Sequence, residues 1–363
     1  MTLTQRNQTA TADEFAERVF GAALGALDTW SMFVGDKLGW YRLLAEGPST
    51  VAELATRSGT DRRYTNEWLE QQVTTGILVV DDARRPEDER RYSLPAGHAE
   101  VLTDADSLAY LAPFVRLLTA AGIKLPEIVD AYQNGGGVSW AEFGPDMRTG
   151  QAEMNRPWFL NQLSSEWLSK VPELDERLSA GARVADVGCG EGWSSIAIAQ
   201  AYPGVEVDGF DVDPPSIEAA RRHAEAAGVS DRVSFHLADV ATLGDGRAYD
   251  VVTAFECVHD MPDPVGVLAA MREMVADDGQ VVVMDEAVGE AFGDRDDEIE
   301  RLMYGISLFV CLPDGMSHQP SVGTGTVMRP SVLEGYARAA GFDSIETLPI
   351  ENDLWRFYRL NLG

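Results

Sequence analysis

From residue 182 onward, short apolar runs alternate with helical stretches, and the first run empties into a turn with glycine at every second position, Val184-Ala185-Asp186-Val187-Gly188-Cys189-Gly190-Glu191-Gly192. Runs at 183–187, 205–210, 233–237, 250–255 and 280–284 read as strands, and the stretches 193–201, 214–227 and 264–275 between them as helices. Strands alternating with helices at this spacing predict a parallel sheet built by right-handed crossovers. Two more runs, 344–349 and 354–360, predict a final pair of strands, giving an α/β sheet of seven mostly parallel strands.

The glycine turn narrows the ligand. Glycines let the chain bend tightly and let a ligand approach without a Cβ in the way. A dinucleotide fingerprint would hold pyrophosphate at the following helix N-terminus, yet Glu191 stands at that mouth, where it repels phosphate. Acids recur at successive strand ends: Asp186, then Asp211 25 residues on, then Asp239 28 residues further. Asp211 can accept both hydroxyl protons of a ribose, and Asp239 can accept from an adenine amino group. One such acid reads equally well as a helix cap, but three in register point to a nucleoside that carries positive charge and no phosphate.

These residues resemble the class I, Rossmann-like S-adenosylmethionine-dependent methyltransferases. Asp186-Val187-Gly188-Cys189-Gly190-Glu191-Gly192 is similar to their first motif, Gly209-Phe210-Asp211-Val212-Asp213 to the second and Leu237-Ala238-Asp239-Val240 to the third. Tyr249-Asp250-Val251-Val252-Thr253-Ala254-Phe255 resembles their fourth strand. Segments Arg63-Tyr64, Glu67-Trp68-Leu69, the run from Gly323 to Pro330 and Trp355-Arg356-Phe357-Tyr358 resemble a bacterial subgroup that prefixes a winged-helix-like domain. The resemblance implies S-adenosyl-L-methionine as cofactor. It implies glycines 188, 190 and 192 along the methionine part, Asp211 at the ribose, and Asp239 with Val240 at the adenine. Asp186, Cys189, Val212 and Phe255 are expected to complete that pocket.

Methyl transfer is an in-line displacement with a neutral leaving group. The protein must align the nucleophile and, where needed, deprotonate it. His259, in Phe255-Glu256-Cys257-Val258-His259-Asp260-Met261, is the candidate base because imidazole titrates near neutrality; a loop anchor is the other reading. Asp260 is expected to orient it or bind substrate, and in related O-methyltransferases a His-Asp pair at this place supplies the base. The leading expectation is therefore methylation of an oxygen, or of a nitrogen, on a small, partly apolar metabolite, without a metal. An alternative is a metal-dependent C-methyltransferase of a 2-oxo acid, with His259, Asp260 and His318 as ligands. An insertion at 287–330 with Tyr304, Phe309 and Met316 is expected to cap the acceptor, together with Trp158. Arg329 and Arg156 are candidates for an acidic substrate or for structural ion pairs.

Upstream, residues 1–14 read as a tail, 15–100 as a mainly helical winged-helix-like domain, 101–178 as a helical linker and lid, and 179–363 as the cofactor domain. A Ser49/Thr50 cap with Glu53 behind it opens one short helix, and a second runs over 61–75 before a hairpin. That outline belongs to a DNA reader, hence to a cofactor-sensing transcription regulator, or to a dimerisation and substrate-covering domain. Arg62 and Arg63 stand among Asp61, Glu67 and Glu70, so no basic face emerges. The whole chain carries 59 acidic against 29 basic residues, a net charge of −30, which disfavours nucleic acid and anionic lipid as partners. Cys189, Cys257 and Cys311 follow no pairing pattern, and no signal or membrane span is read. A cytoplasmic homodimer joined through the N-terminal domain is expected.

Overall fold

The structure is a computed structural model describing residues 9–243, 248–293 and 297–363. Most of the expected tail, 1–8, and residues 294–296 of the expected cap lie outside the described residues. The chain divides into two compact units, one formed by 3–120 with 145–157 and the other by 121–144 with 158–363. The stretch 101–178 is thus shared between them.

In the first unit, α1 (Ala12–Lys37) starts at a capping box of Thr11 and Glu14, inside the segment read as tail. Gly39, at φ 70°, breaks the helical run before α2 (Trp40–Ala45). The Thr50–Glu53 box opens α3 (Val51–Ser58) as expected, and Asp61 caps α4 (Arg62–Thr74) through the Arg63 and Tyr64 amides. The wing is minimal, β1 (Val79–Val80) against β2 (Tyr92–Ser93). Trp68 of α4 is the keystone, with its ring 4.6 Å from Trp40 and its indole N–H donating to the Ser31 carbonyl at 2.9 Å. On the surface of α4, Arg62 pairs with Asp88 and Arg63 with Glu67, so neither cation stands alone.

The second unit is the expected doubly wound sheet. Its strands are β3 (Arg183–Val187), β4 (Glu206–Asp211), β5 (Val233–Leu237), β6 (Tyr249–Phe255), β7 (Val275–Glu286), β8 (Ser344–Thr347) and β9 (Trp355–Asn361), in the order β5-β4-β3-β6-β7-β9-β8. β9 runs antiparallel to β7, and β8 antiparallel to β9; the first five are parallel. Side chains alternate between two cores as a pleated strand requires. Val184, Val251 and Val282 face the helices at Trp193–Ala201 and Pro214–Ala226, whereas Ala185, Val252 and Val283 face those at Pro264–Met274 and Pro330–Ala339. The order reverses between β3 and β6, and open α/β sheets bind ligands in the crevice outside the strand ends at that point. Among the described residues no helix is long and apolar enough to cross a membrane.

The glycines after β3 do different jobs. A Cβ on Gly192 (φ 84°) would lie 2.5 Å from the Phe235 ring and 2.9 Å from Ala220, and one on Gly188 (φ 69°) would lie 2.7 Å from Cys257 Sγ. At Gly190 (φ 53°) a Cβ would meet nothing within 4 Å. Left-handed backbone costs an L-residue about 1–2 kcal/mol, and overpacking adds about 1–3 kcal/mol. Gly192→Ala is therefore expected to lose about 2–5 kcal/mol in urea unfolding. Gly190→Ala should lose only the backbone part while weakening cofactor binding.

Candidate active site

Asp186, the last acid before the glycine turn, is 1% exposed. Its Oδ2 accepts from Ser194 and Ser195, both at 2.6 Å, and its Oδ1 accepts from Thr253 at 2.9 Å. Burial pushes its carboxyl up, against the hydroxyl bonds that favour the anion. With every near partner supplied by the chain itself, Asp186 fastens the helix at Trp193–Ala201 and β6 to β3, and does not reach outward for a ligand.

Asp211, at the end of β4, spans the turn: Oδ2 accepts from the Gly190 amide and Oδ1 from the Asp213 amide, both at 2.8 Å. Burial raises its carboxyl as well, opposed by those amide bonds. Beside it Val212 is 68% exposed, and Leu237, one strand over, 53%. Large apolar side chains bared at strand ends suit the flat face of a base. Val240 does not share that position, because its side chain is buried in the core. Asp239 is exposed and accepts from the Ala241 amide at 3.0 Å, so it caps the short turn at Val240–Thr242. Cys189 is buried behind the turn and Phe255 packs on Phe159 at 6.1 Å. Leu237 went unnoticed in the sequence because an apolar residue closing a strand looks like core.

The opposite wall is the turn after β6. It begins at Glu256, whose φ of 52° makes it the one described residue other than glycine in the left-handed region. Its carboxylate accepts from the Trp355 indole N–H. Next, Cys257 Sγ lies 3.3 Å from the Val187 carbonyl. His259 then turns inward and is buried. Its Nδ1 sits 2.9 Å from Asp285 Oδ1 and 3.1 Å from Glu286 Oε2, and its Nε2 3.3 Å from Asp260 Oδ1. Burial alone would favour the neutral ring, but Asp260, Asp285 and Glu286 together outweigh it and hold the imidazolium well above its ordinary range. Burial and Asp285 push Glu286 up, against the pull of His259. His259 is thus a buried imidazole ringed by acids, an arrangement compatible with either of its two readings, base or loop anchor.

The thiol of Cys311 closes the other side of the cluster, with ligand-type atoms of His259, Asp260 and Cys311 all within 4.8 Å of one another. It arrives there on a π-helical turn, Ser307–Cys311, a distortion often found at functional sites. His259, Asp285 and Glu286 form a second such group. His318 belongs to neither: it is exposed just past the helix Leu312–Ser317, so the expected set of His259, Asp260 and His318 does not assemble. Asp285, Glu286 and Cys311 were missed because other elements bring them in from 25 or more residues away.

Of the expected acceptor contacts, Trp158 belongs to a cluster of indoles, 6.4 Å from Trp167 and 5.4 Å from Trp355. Arg329 donates to Glu300 at 2.8 Å, to the Gly289 carbonyl at 2.6 Å and to Tyr304 at 3.1 Å, so it is bound within the insertion and takes the structural of its two readings. Arg156 likewise pairs with Asp106 at 2.8 Å. Phe309 is 41% exposed, and Met316 is half-buried against Gly323.

Comparison with known proteins agrees with this geometry. Residues 178–306 match a family described as Methyltransferase domain, and residues 26–104 match the Rv2258c-like winged HTH domain. Two solved structures share the fold over nearly their whole length. Mitomycin 7-O-methyltransferase MmcR has a TM-score of 0.70 at 21% identity, covering 96% of this chain and 99% of that one. Human N-acetylserotonin methyltransferase, solved with S-adenosylmethionine, has a TM-score of 0.71 at 18% identity, covering 98% and 100%. A ubiquinone biosynthesis O-methyltransferase of Leptothrix cholodnii is 30% identical over 209 residues, 56% of this chain and 80% of the relative. Fold and site together define a Rossmann-like methyltransferase with a winged-helix domain in front of it. The chain belongs to the class I S-adenosylmethionine-dependent methyltransferases, and S-adenosylmethionine is its cofactor.

The residues present fit that cofactor: a cradle at Gly190 that a Cβ would fill, a carboxylate at Asp211, and apolar faces at Val212 and Leu237. A hydrogen bond to a charged group is worth about 1.5–3 kcal/mol. Asp211→Asn should therefore weaken S-adenosylhomocysteine binding by about 10–100-fold in titration calorimetry. Asp239→Asn should have a smaller effect, since its carboxylate already caps a turn.

Proposed function

We propose that this methyltransferase acts on a hydroxyl oxygen of a small, partly apolar metabolite. The observation that carries the reading is the cluster of His259 with the carboxylates of Asp260, Asp285 and Glu286 beside the glycine turn. A hydroxyl must shed its proton as it is methylated, and such a cluster can hold one. When bound, S-adenosylmethionine supplies an electrophilic methyl group on a sulfonium. Gly188, Gly190 and Gly192 shape the turn that receives it, with Asp211, Asp239, Val212 and Leu237 at the nucleoside. Cys189, Val240 and Phe255 back that wall from the core, and Asp186 ties the turn to its helix.

The Leptothrix relative and MmcR are both O-methyltransferases, which supports oxygen as the acceptor atom. The exposed Phe309 and the half-buried Met316 and Tyr304 of the insertion supply apolar surface for a flat acceptor. A phenol is the simplest molecule that combines these needs. Screening small phenols and catechols with S-adenosylmethionine by mass spectrometry should yield a product heavier by one methylene unit together with S-adenosylhomocysteine. Cofactor consumption confined to amine acceptors would overturn the choice of oxygen.

We also propose that a second copy of the chain covers α1. Phe15, Val19, Phe20, Leu24, Leu27 and Trp30 are each 46–66% exposed along it. Residues Val19–Leu27 carry no charge, in a protein that otherwise repels its own kind at −30. A membrane-surface helix would present mainly lysine and arginine beside such a face, whereas the start of this one carries three acids, Asp13, Glu14 and Glu17, against the single cation Arg18. Three unpaired cysteines support a reducing, cytoplasmic setting for the dimer. Leu24→Glu combined with Leu27→Glu should halve the mass seen in sedimentation equilibrium. An unchanged dimer would move the interface elsewhere.

A further inference from the structure

We propose that His223 is a positioning residue for the cofactor, donating a hydrogen bond to the Glu191 carbonyl that holds the glycine turn in its binding shape. The inference concerns S-adenosylmethionine alone and stands whatever the methyl acceptor is.

The backbone of the turn carries the argument. Gly188 and Cys189 both donate to the Phe210 carbonyl, at 2.8 and 3.1 Å, and Gly192 donates to the Cys189 carbonyl at 2.8 Å. Gly190 donates to Asp211 Oδ2 at 2.8 Å. These bonds grip the turn by its amides. Three of its five residues are glycines at positive φ, and glycine loses more conformational freedom on ordering than any other residue. The Glu191 carbonyl and the Gly192 amide belong to one rigid peptide plane. Cys189 holds that plane by its N–H edge, and His223 holds it by the other. The ring Nδ1 lies 3.0 Å from the Glu191 carbonyl oxygen, and a carbonyl only accepts, so Nδ1 carries the hydrogen.

Packing explains why the imidazole reaches this carbonyl from 32 residues away. The turn rests on the helix Pro214–Ala226, where a Cβ on Gly192 would lie 2.9 Å from Ala220. Ala220 and His223, three residues apart, share one face of that helix. The His223 ring then stacks on Trp193, the first residue of the helix after the turn, with ring centres 4.4 Å apart and planes 22° apart. Its Nε2 stands 3.9 Å from Glu191 Oε2, beyond hydrogen-bond length, so the bond it makes to the turn is the backbone one. β4 and the helix after it therefore grip the turn twice, at the Gly190 amide through Asp211 and at the Glu191 carbonyl through His223.

A loop already held in its bound conformation binds more tightly, because the cost of ordering it was met on folding. His223 touches neither the methyl group nor the acceptor. Its effect is therefore expected in cofactor affinity rather than in the rate of the bound complex.

Two substitutions in the full chain separate the hydrogen bond from the ring. His223→Phe keeps a ring against Trp193 and removes the N–H, whereas His223→Asn keeps a short N–H donor and removes the ring. In titration calorimetry His223→Phe should bind S-adenosylhomocysteine about 3–10-fold more weakly, the range one neutral hydrogen bond spans. His223→Asn should recover most of that loss, whatever it does to the melting temperature. With any acceptor that turns over, the KM for S-adenosylmethionine should rise in His223→Phe by the same factor, while kcat at saturating cofactor moves much less. Native affinity in His223→Phe, or an equal loss in both variants, overturns the proposal. So does a fall in kcat with an unchanged KM. Nitrogen NMR of the unaltered protein supplies a check that misfolding of a variant cannot spoil. At about pH 8, where an ordinary imidazole is neutral, His223 should carry its hydrogen on Nδ1; a hydrogen on Nε2 alone overturns the proposal.

Discussion

A single buried carboxylate organises the centre of the cofactor unit. Asp186 lies in β3, at the point where the strand order reverses, and accepts hydrogen bonds from two serines of the following helix and one threonine of the neighbouring strand. Taking a carboxylate out of water is costly unless its oxygens are satisfied. The three hydroxyls meet that need only when β3, β6 and the helix N-terminus stand in one arrangement. The glycine turn hangs between these fixed points, its shape set by Asp211 bridging the amides of Gly190 and Asp213. Cofactor and acceptor walls therefore share one anchor.

The fold was largely legible in the sequence because its signals are local. Apolar runs of strand length, a proline pair after Asp213 and alternating glycines each act within a few residues, and the strands and helices fall where those cues put them. The hairpin expected after the second short helix is present but short, with only two paired residues in each strand. The long first helix was clear as periodicity, but its exposure was not, because an apolar stripe looks the same whether it meets its own chain or another.

The candidate site was legible only in part. His259 and Asp260 stood out by type and by their place after the fourth strand of the motif series. Their chemistry, however, depends on Asp285 and Glu286, at the end of another strand, and on Cys311, delivered by a helical distortion with no evident sequence mark. A neighbouring charge decides whether an imidazole gives or takes a proton, and neighbours in space are what a linear reading lacks. The same gap hid which side chains face outward there: that of Val240 is buried in the core while Leu237 is exposed. Glycine spacing, too, spoke of a ligand at three positions where space is open at only one.

Glu256 has a wider consequence. The chain adopts left-handed backbone there with a bulky acidic side chain, at the exit of β6 and beside the proton-handling turn, and the Trp355 indole keeps it so. Such conformations cost of order 1–3 kcal/mol and persist only where surrounding packing overdetermines them. Glycine would relieve that torsion but leave the Trp355 indole without its carboxylate, a loss of about 1.5–3 kcal/mol. The backbone conformation and the tryptophan contact are therefore bound to each other, and neither residue can be exchanged without a matching change in the other.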